Sequence, residues 1–213
     1  MDIPRLIGQL MSVRVVEYLE ENPVGLFPIP RLYPPAGPQQ VRALEVRAGQ
    51  QLEAGYRTFL SLSDGLDGFH LTMPLFGCKD WREEDGMGAA SLRFLDGLRD
   101  TGIPANVGLP EDVTLFPVSV NRDVSQGVFM LDLPEALPER WWWVGEGSSS
   151  FFENFADLLK YAIDPLSMSP REYVERTNVD ATPACWRNIR CSLNTAADAL
   201  LTADGPGGAS GYT

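Results

Sequence analysis

"YRTFLSLSDGLDGF", residues 56–69, begins with helical spacing, breaks at two Asp-Gly pairs and runs into the chain's only histidine, His70. Tyr56, Phe59 and Leu60 share one face of a helix over QQLEAGYRTFLSLS, together with Leu52. Glycine readily takes the left-handed conformation that ends helices, so this helix is expected to stop at Asp64-Gly65. The following GFHLTMPLFG reads as a strand, interrupted at Pro74 and closed by Gly77. DGLDG has the opening of a calcium loop, but Asp64 and Asp67 lack the further alternating oxygens and the terminal glutamate that calcium requires. A helix-to-sheet turn carrying two acids is the expected role.

Working outward, Ile3, Leu6, Ile7, Leu10, Met11, Val15 and Leu19 repeat at helical spacing, predicting a helix with one buried face. NPVGLFPIPRLYPPAGP follows, with Pro23, Pro28, Pro30, Pro34, Pro35 and Pro38 fixing φ and removing donors. It is expected to lie extended over the body, with Leu26, Phe27 and Tyr33 packed down. VRALEVRAG reads as a short strand or a lead-in. Beyond Gly77, GMGAASLRFLDGLRDTG predicts a helix ending near Gly102, and TLFPVSV-NRDVSQG-VFMLDL predicts a β-hairpin. RWWWV has the aromatic content of a third strand, and GEGSSS reads as a loop. Ser150 and Glu153 have capping-box spacing, placing a helix start before FFENFADLLKYAI. In the last stretch Ser169-Pro170 and Thr182-Pro183 mark short helices, the second carrying Trp186, Ile189, Leu193, Ala197 and Leu200 at near-helical spacing.

The chain has 213 residues, 44% hydrophobic and 22% charged, suited to one compact domain that buries roughly 70 to 75% of its unfolded surface. No apolar run approaches the roughly 20 residues needed to cross a bilayer, and MDIPRLIGQL lacks the basic start and apolar block of a secretory signal. A cytoplasmic location and no membrane association are expected. The formal charge of −12 repels phosphate backbones and anionic lipids, which disfavours direct nucleic-acid binding and favours encounter with a basic protein. Solubility alone also accounts for acidic chains. Cys78, Cys185 and Cys191 form an odd set without a CxxC pair, and reduced thiols are expected.

No complete catalytic or cofactor motif is present. His70 with the three cysteines lacks the paired-ligand spacing of a zinc site. Serines and thiols lack a nucleophile context, and GMGAAS lacks the glycine spacing of a dinucleotide loop. Glu83, Glu84 and Asp85 contain enough carboxylates for an acid and base pair, although adjacent acids are more commonly a solvated face. Of Trp141, Trp142 and Trp143, strand alternation turns the middle ring away from the other two. Either one indole is exposed as a binding hot spot, or both faces of the sheet are covered; burial is the favoured reading.

In order along the chain, five elements resemble the SUKH superfamily. They are Tyr56 with Phe59 and Leu60, Asp64-Gly65, Phe76-Gly77, Leu131-Asp132, and Phe152 with Phe155. This superfamily includes bacterial immunity proteins of polymorphic toxin systems and fungal regulators of cell-wall synthesis. The resemblance spans residues 41–163, with Asp-Gly where Asn-Gly is usual and Glu53 where a proline is usual before the tyrosine helix. It implies an α+β domain with a mixed or antiparallel sheet packed against helices, no enzymatic activity, and function through protein binding.

The expected organisation is therefore an N-terminal helix and proline-rich connector packed on the domain (1–40), a SUKH-like domain (41–163), and a C-terminal helical extension with a flexible tail (164–213). No catalytic residue, cofactor or metal is expected. The expected partner is a protein, foremost a basic toxin domain such as a nuclease, and the alternative is a regulatory or scaffolding role without a toxin. Asp80, Glu83, Glu84 and Asp85 beside Trp81 form the candidate contact patch, because an aromatic among charges can anchor an interface. A small hydrolase using paired carboxylates is the third reading.

Overall fold

The computed structural model describes residues 2–21, 25, 27–82, 86–134, 137–145, 148–166, 170, 173–174 and 186–187. The chain is α+β, as expected, with antiparallel sheets. Helix α1 (Ile3–Glu21) leads into strand β1 (Arg31–Leu32), followed by helices α2 (Pro38–Ala48) and α3 (Ala54–Leu62). Strands β2 (Leu66–His70) and β3 (Met73–Leu75) pair antiparallel, with β1 added on the outer side of β2. A 3-10 turn (Cys78–Trp81) precedes α4 (Met87–Asp100) and the single-turn α5 (Ile103–Asn106). The main sheet runs β4 (Thr114–Val120), β5 (Gly127–Asp132), β6 (Trp141–Gly145) and β7 (Ser148–Phe152), each antiparallel to the next, and α6 (Phe155–Ile163) closes the body. Two-residue strands β8 (Tyr173–Val174) and β9 (Trp186–Arg187) pair with each other.

The main sheet is buried on both faces. Because side chains alternate along β6, Trp141 and Trp143 enter a core shared with Ile3, Ile7 and Leu10 of α1, Tyr56 and Phe59 of α3, and Phe155 of α6. Trp142 enters a second core with Leu95 and Leu98 of α4, Phe129 and Phe151. Trp141 lies 5.3 Å from Phe155 and 5.7 Å from Tyr56, and Trp142 lies 5.4 Å from Phe129, measured between ring centroids. All three tryptophans are therefore core residues, and none is a surface hot spot.

Several local expectations are corrected. VRALEVRAG belongs to α2, because Pro38 stands at the first helical position and Gln40 Oε1 accepts the Gly37 N–H at 2.7 Å. GEGSSS is not all loop, since residues 148–150 form β7 against β6. The last helix of the body begins at Phe155, where Asn154 Oδ1 accepts the Asp157 N–H at 3.0 Å. Phe151 and Phe152 belong to β7, opposite Trp142 and Trp141. GFHLTMPLFG is two strands around a turn at Leu71-Thr72. The apolar stripe of α1 is buried only at its start. Ile3, Ile7 and Leu10 are covered, Val15 and Leu19 are exposed, and Arg14 takes the buried position that Val15 was expected to hold.

The proline-rich connector is tied into the body at its far end. Tyr33 N–H donates to Ser63 Oγ at 2.8 Å, Asp64 N–H to Pro34 O at 3.0 Å, and Ala36 N–H to Leu60 O at 2.9 Å. Pro23 and Leu26, Cys185 and Cys191, and the helix expected from Pro183 lie outside the described residues, apart from Trp186 and Arg187, which are in β9.

The α3–β2 turn is held against the 3-10 turn at one point of close approach. Gly65 has φ +109°, a conformation that side chains rarely adopt, and a Cβ at Gly77 would collide with the backbone carbonyl group of Asp64. Gly77→Ala is expected to lose about 3 kcal/mol of stability, since backbone must shift to admit the methyl. Gly97→Ala, in the interior of α4 with open space around it, is expected to gain about 0.5 to 1 kcal/mol. Urea denaturation of the two variants beside the native chain measures both.

Candidate functional site

The corner where α2, the α3–β2 turn and the 3-10 turn meet gathers several of the residues singled out in the sequence. Asp64 is buried, and its Oδ1 accepts the backbone N–H groups of Cys78 and Lys79, the latter at 3.3 Å. Its Oδ2 lies 3.5 Å from the Arg82 guanidinium. Asp80 Oδ2 accepts the Gly77 N–H at 2.7 Å, and its Oδ1 pairs with Lys79 Nζ at 2.7 Å. Lys79 Nζ in turn sits 4.0 Å from the centroid of the Tyr33 ring. Asp67, the second acid of DGLDG, accepts from Tyr33 Oη at 2.6 Å and from Arg31 at 2.9 Å. Asp64, Asp67 and Asp80 thus fasten backbone and neighbouring side chains, which is the turn role expected of the first two.

The candidate contact patch is corrected at Trp81. In a 3-10 turn, residues three apart lie on the same side, so Cys78 and Trp81 face inward together, each 6% exposed. The Trp81 ring stacks on Phe116 at 4.7 Å and meets Phe76 edge-on at 6.1 Å. It is anchored in the core and cannot protrude as an interface anchor. Glu83, Glu84 and Asp85 lie outside the described residues.

One edge of this buried indole remains beside a surface cleft of about 280 Å³ between α2 and the 3-10 turn. Gln40, Leu44 and Arg47 line it from α2, and Cys78, Trp81 and Arg82 from the other side. The Arg47 guanidinium lies over the Trp81 ring, 5.8 Å from its centroid. Residue spacing held a signal for this cleft: Gln40, Leu44 and Arg47 share one helical face.

His70 and Cys78, weighed in the sequence as metal ligands, occupy different environments. The imidazole meets Trp143 edge-on at 5.0 Å, and its Nδ1 lies 3.4 Å from Arg14 Nη2. Arg14 is itself buried, donating to Phe69 O at 2.8 Å and Ala162 O at 2.5 Å and pairing with Glu17. Burial, with Arg14 acting the same way, holds the His70 pKa down to about 4. For the Cys78 thiol, burial and the adjacent Asp64 push the pKa up to about 12. Among the described residues no cluster of histidine, cysteine, aspartate or glutamate is arranged to hold a metal ion. No helix among them is long and apolar enough to cross a membrane.

No protein-family model matches the chain, and no curated protein matches it.

Two measurements follow from these environments. His70 is neutral in both states above its unfolded pKa of 6.5, and below that the unfolded chain binds its proton first. Stability is therefore lost as pH falls from 6.5 towards 4, and the loss levels off below the folded value. Between about pH 7 and pH 5 this group accounts for up to about 2 kcal/mol, read as the difference between the native chain and His70→Gln in urea melts. Cys78, held as the thiol, is expected to resist iodoacetamide at mildly alkaline pH in the native chain and to react after denaturation, as read by peptide mass.

Proposed function

We propose that this chain is a non-enzymatic protein-binding domain of the immunity type, which binds a basic toxin domain and blocks it. The observation that carries the reading is the meeting of four of the five motif elements that resemble the SUKH superfamily, the fifth, Leu131-Asp132, having Leu131 in the second core. Tyr56 Oη donates to Phe76 O at 2.7 Å, and Tyr56 and Phe59 lie 5.5 and 5.8 Å from Phe155, measured between ring centroids. Asp64 bonds the residues that follow Phe76-Gly77. Residues separated by up to a hundred positions are thus one packed unit, as expected if the order of motifs reflects a shared scaffold.

The charge of −12 supports a basic partner, since complementary fields raise the rate of encounter and discriminate against acidic competitors. Binding of this kind acts by covering the toxin's working surface, so the domain itself needs no reacting group. The alternative, a regulatory or scaffolding protein of the same superfamily, shares the binding mode and differs in the partner.

Co-expression with a toxin gene found beside this one is the direct test. Growth is expected to be restored and the two proteins to co-purify, with association that weakens as salt is raised. Continued growth arrest without co-purification rejects the toxin-neutralising reading.

A further inference from the structure

The cleft between α2 and the 3-10 turn runs against the charge of the molecule. Its two ionised side chains are the guanidiniums of Arg47 and Arg82, and no carboxylate lines it among the described residues. Guanidinium groups can only donate. Trp81 contributes ring surface to the cleft, its Nε1 being buried. The Gln40 carbonyl oxygen already receives the Gly37 N–H, which leaves its amide hydrogens. Arg82 holds Asp64 only at 3.5 Å, its side chain is 56% exposed, and among the described residues its guanidinium has no second carboxylate partner. A cleft furnished with donors and short of acceptors is matched by an anionic acceptor.

We propose that this cleft receives a carboxylate side chain of the protein partner, clamped between Arg47 and Arg82 with its methylene stem against Leu44 and the Trp81 ring. The proposal rests on the protein-binding reading above and names the partner group that this corner takes. Arg47 lies over the indole ring, 5.8 Å from its centroid, and its planar guanidinium carries the paired N–H groups that suit a carboxylate. The apolar wall favours an acid carried on a carbon chain over an inorganic anion. The molecule's negative field opposes a free acid, whereas a carboxylate carried on a basic partner is delivered by the partner's own charge.

The test follows the tryptophan indole N–H resonances of the ¹⁵N-labelled full-length chain during titration with a blocked glutamate peptide, acetate or phosphate through the millimolar range, at constant ionic strength. The same titrations in E83Q/E84Q/D85N remove competition from the chain's own neighbouring acids. A saturable shift of one indole resonance with the glutamate peptide is expected, weakened on the order of tenfold or more in Arg47→Gln, an exposed position. Tighter binding of the peptide than of acetate supports a partner side chain, while equal affinities overturn the stem contact. Stronger binding of phosphate, or no saturable shift in either background, overturns the carboxylate assignment. Toxin rescue is scored separately: rescue without peptide binding rejects the cleft alone, and peptide binding without rescue rejects the toxin reading alone.

Discussion

The fold depends on the contact between Asp64 and the segment that begins at Gly77. A carboxylate buried beside two converging backbone N–H groups forms charge-assisted hydrogen bonds, which are roughly twice as strong as neutral ones. Here they satisfy the open N-terminal donors of the 3-10 turn, while the missing side chain of Gly77 lets the two backbones touch. That contact fixes where α3 ends relative to β3. It thereby fixes Phe76, whose carbonyl accepts the Tyr56 hydroxyl and whose N–H donates to Val118 O in β4 at 2.7 Å. The smaller sheet, the larger sheet and helix α3 are joined through this one residue and its neighbours.

The larger sheet then separates two cores, and the distribution of aromatic residues follows from its pleat. Trp141 and Trp143 could not both be buried with Trp142 unless helices covered both faces. Helices α1, α3 and α6 cover one, and α4 with the segment after α5 covers the other. The cost of this arrangement is polar: the indole N–H groups of Trp141 and Trp142 are buried without acceptors among the described residues. An unsatisfied buried donor costs about 1 to 3 kcal/mol, so the large apolar area of each ring must outweigh it. Arg14 is the opposite case. It holds a buried position on α1, and its donors are matched by Phe69 O, Ala162 O and Glu17.

Much of this was legible wherever a periodic apolar pattern coincided with burial. The helix through Tyr56, the hairpin of β4 and β5, and the alternation of RWWWV all follow from side-chain period alone. Failures came where tertiary contacts decided between two local signals. Ser150 with Glu153 and Asn154 with Asp157 have the same spacing, and only pairing of Phe151 and Phe152 with β6 selects the second as the helix start. The serines of β7 carry no strand signal of their own and are strand because β6 offers a ladder. Arg14 breaks an apolar stripe in a way that no pattern within α1 could anticipate, since two of its acceptors come from β2 and α6.

The candidate site was hidden by a single misread element. With residues 41–49 taken as a strand or lead-in, Arg42, Glu45 and Arg47 are simply alternating charges. On a helix they separate. Gln40, Leu44 and Arg47 turn towards the 3-10 turn, whereas Glu45 lies on another side and pairs with Arg57 at 2.6 Å. Net charge sets the field around the molecule as a whole, which salt screens over a Debye length of roughly 8 Å, but groups within a few ångströms set the potential inside a cleft. An acidic protein can therefore carry a donor-lined recess without contradiction, with its far field selecting the class of partner and the recess selecting a group on that partner's surface.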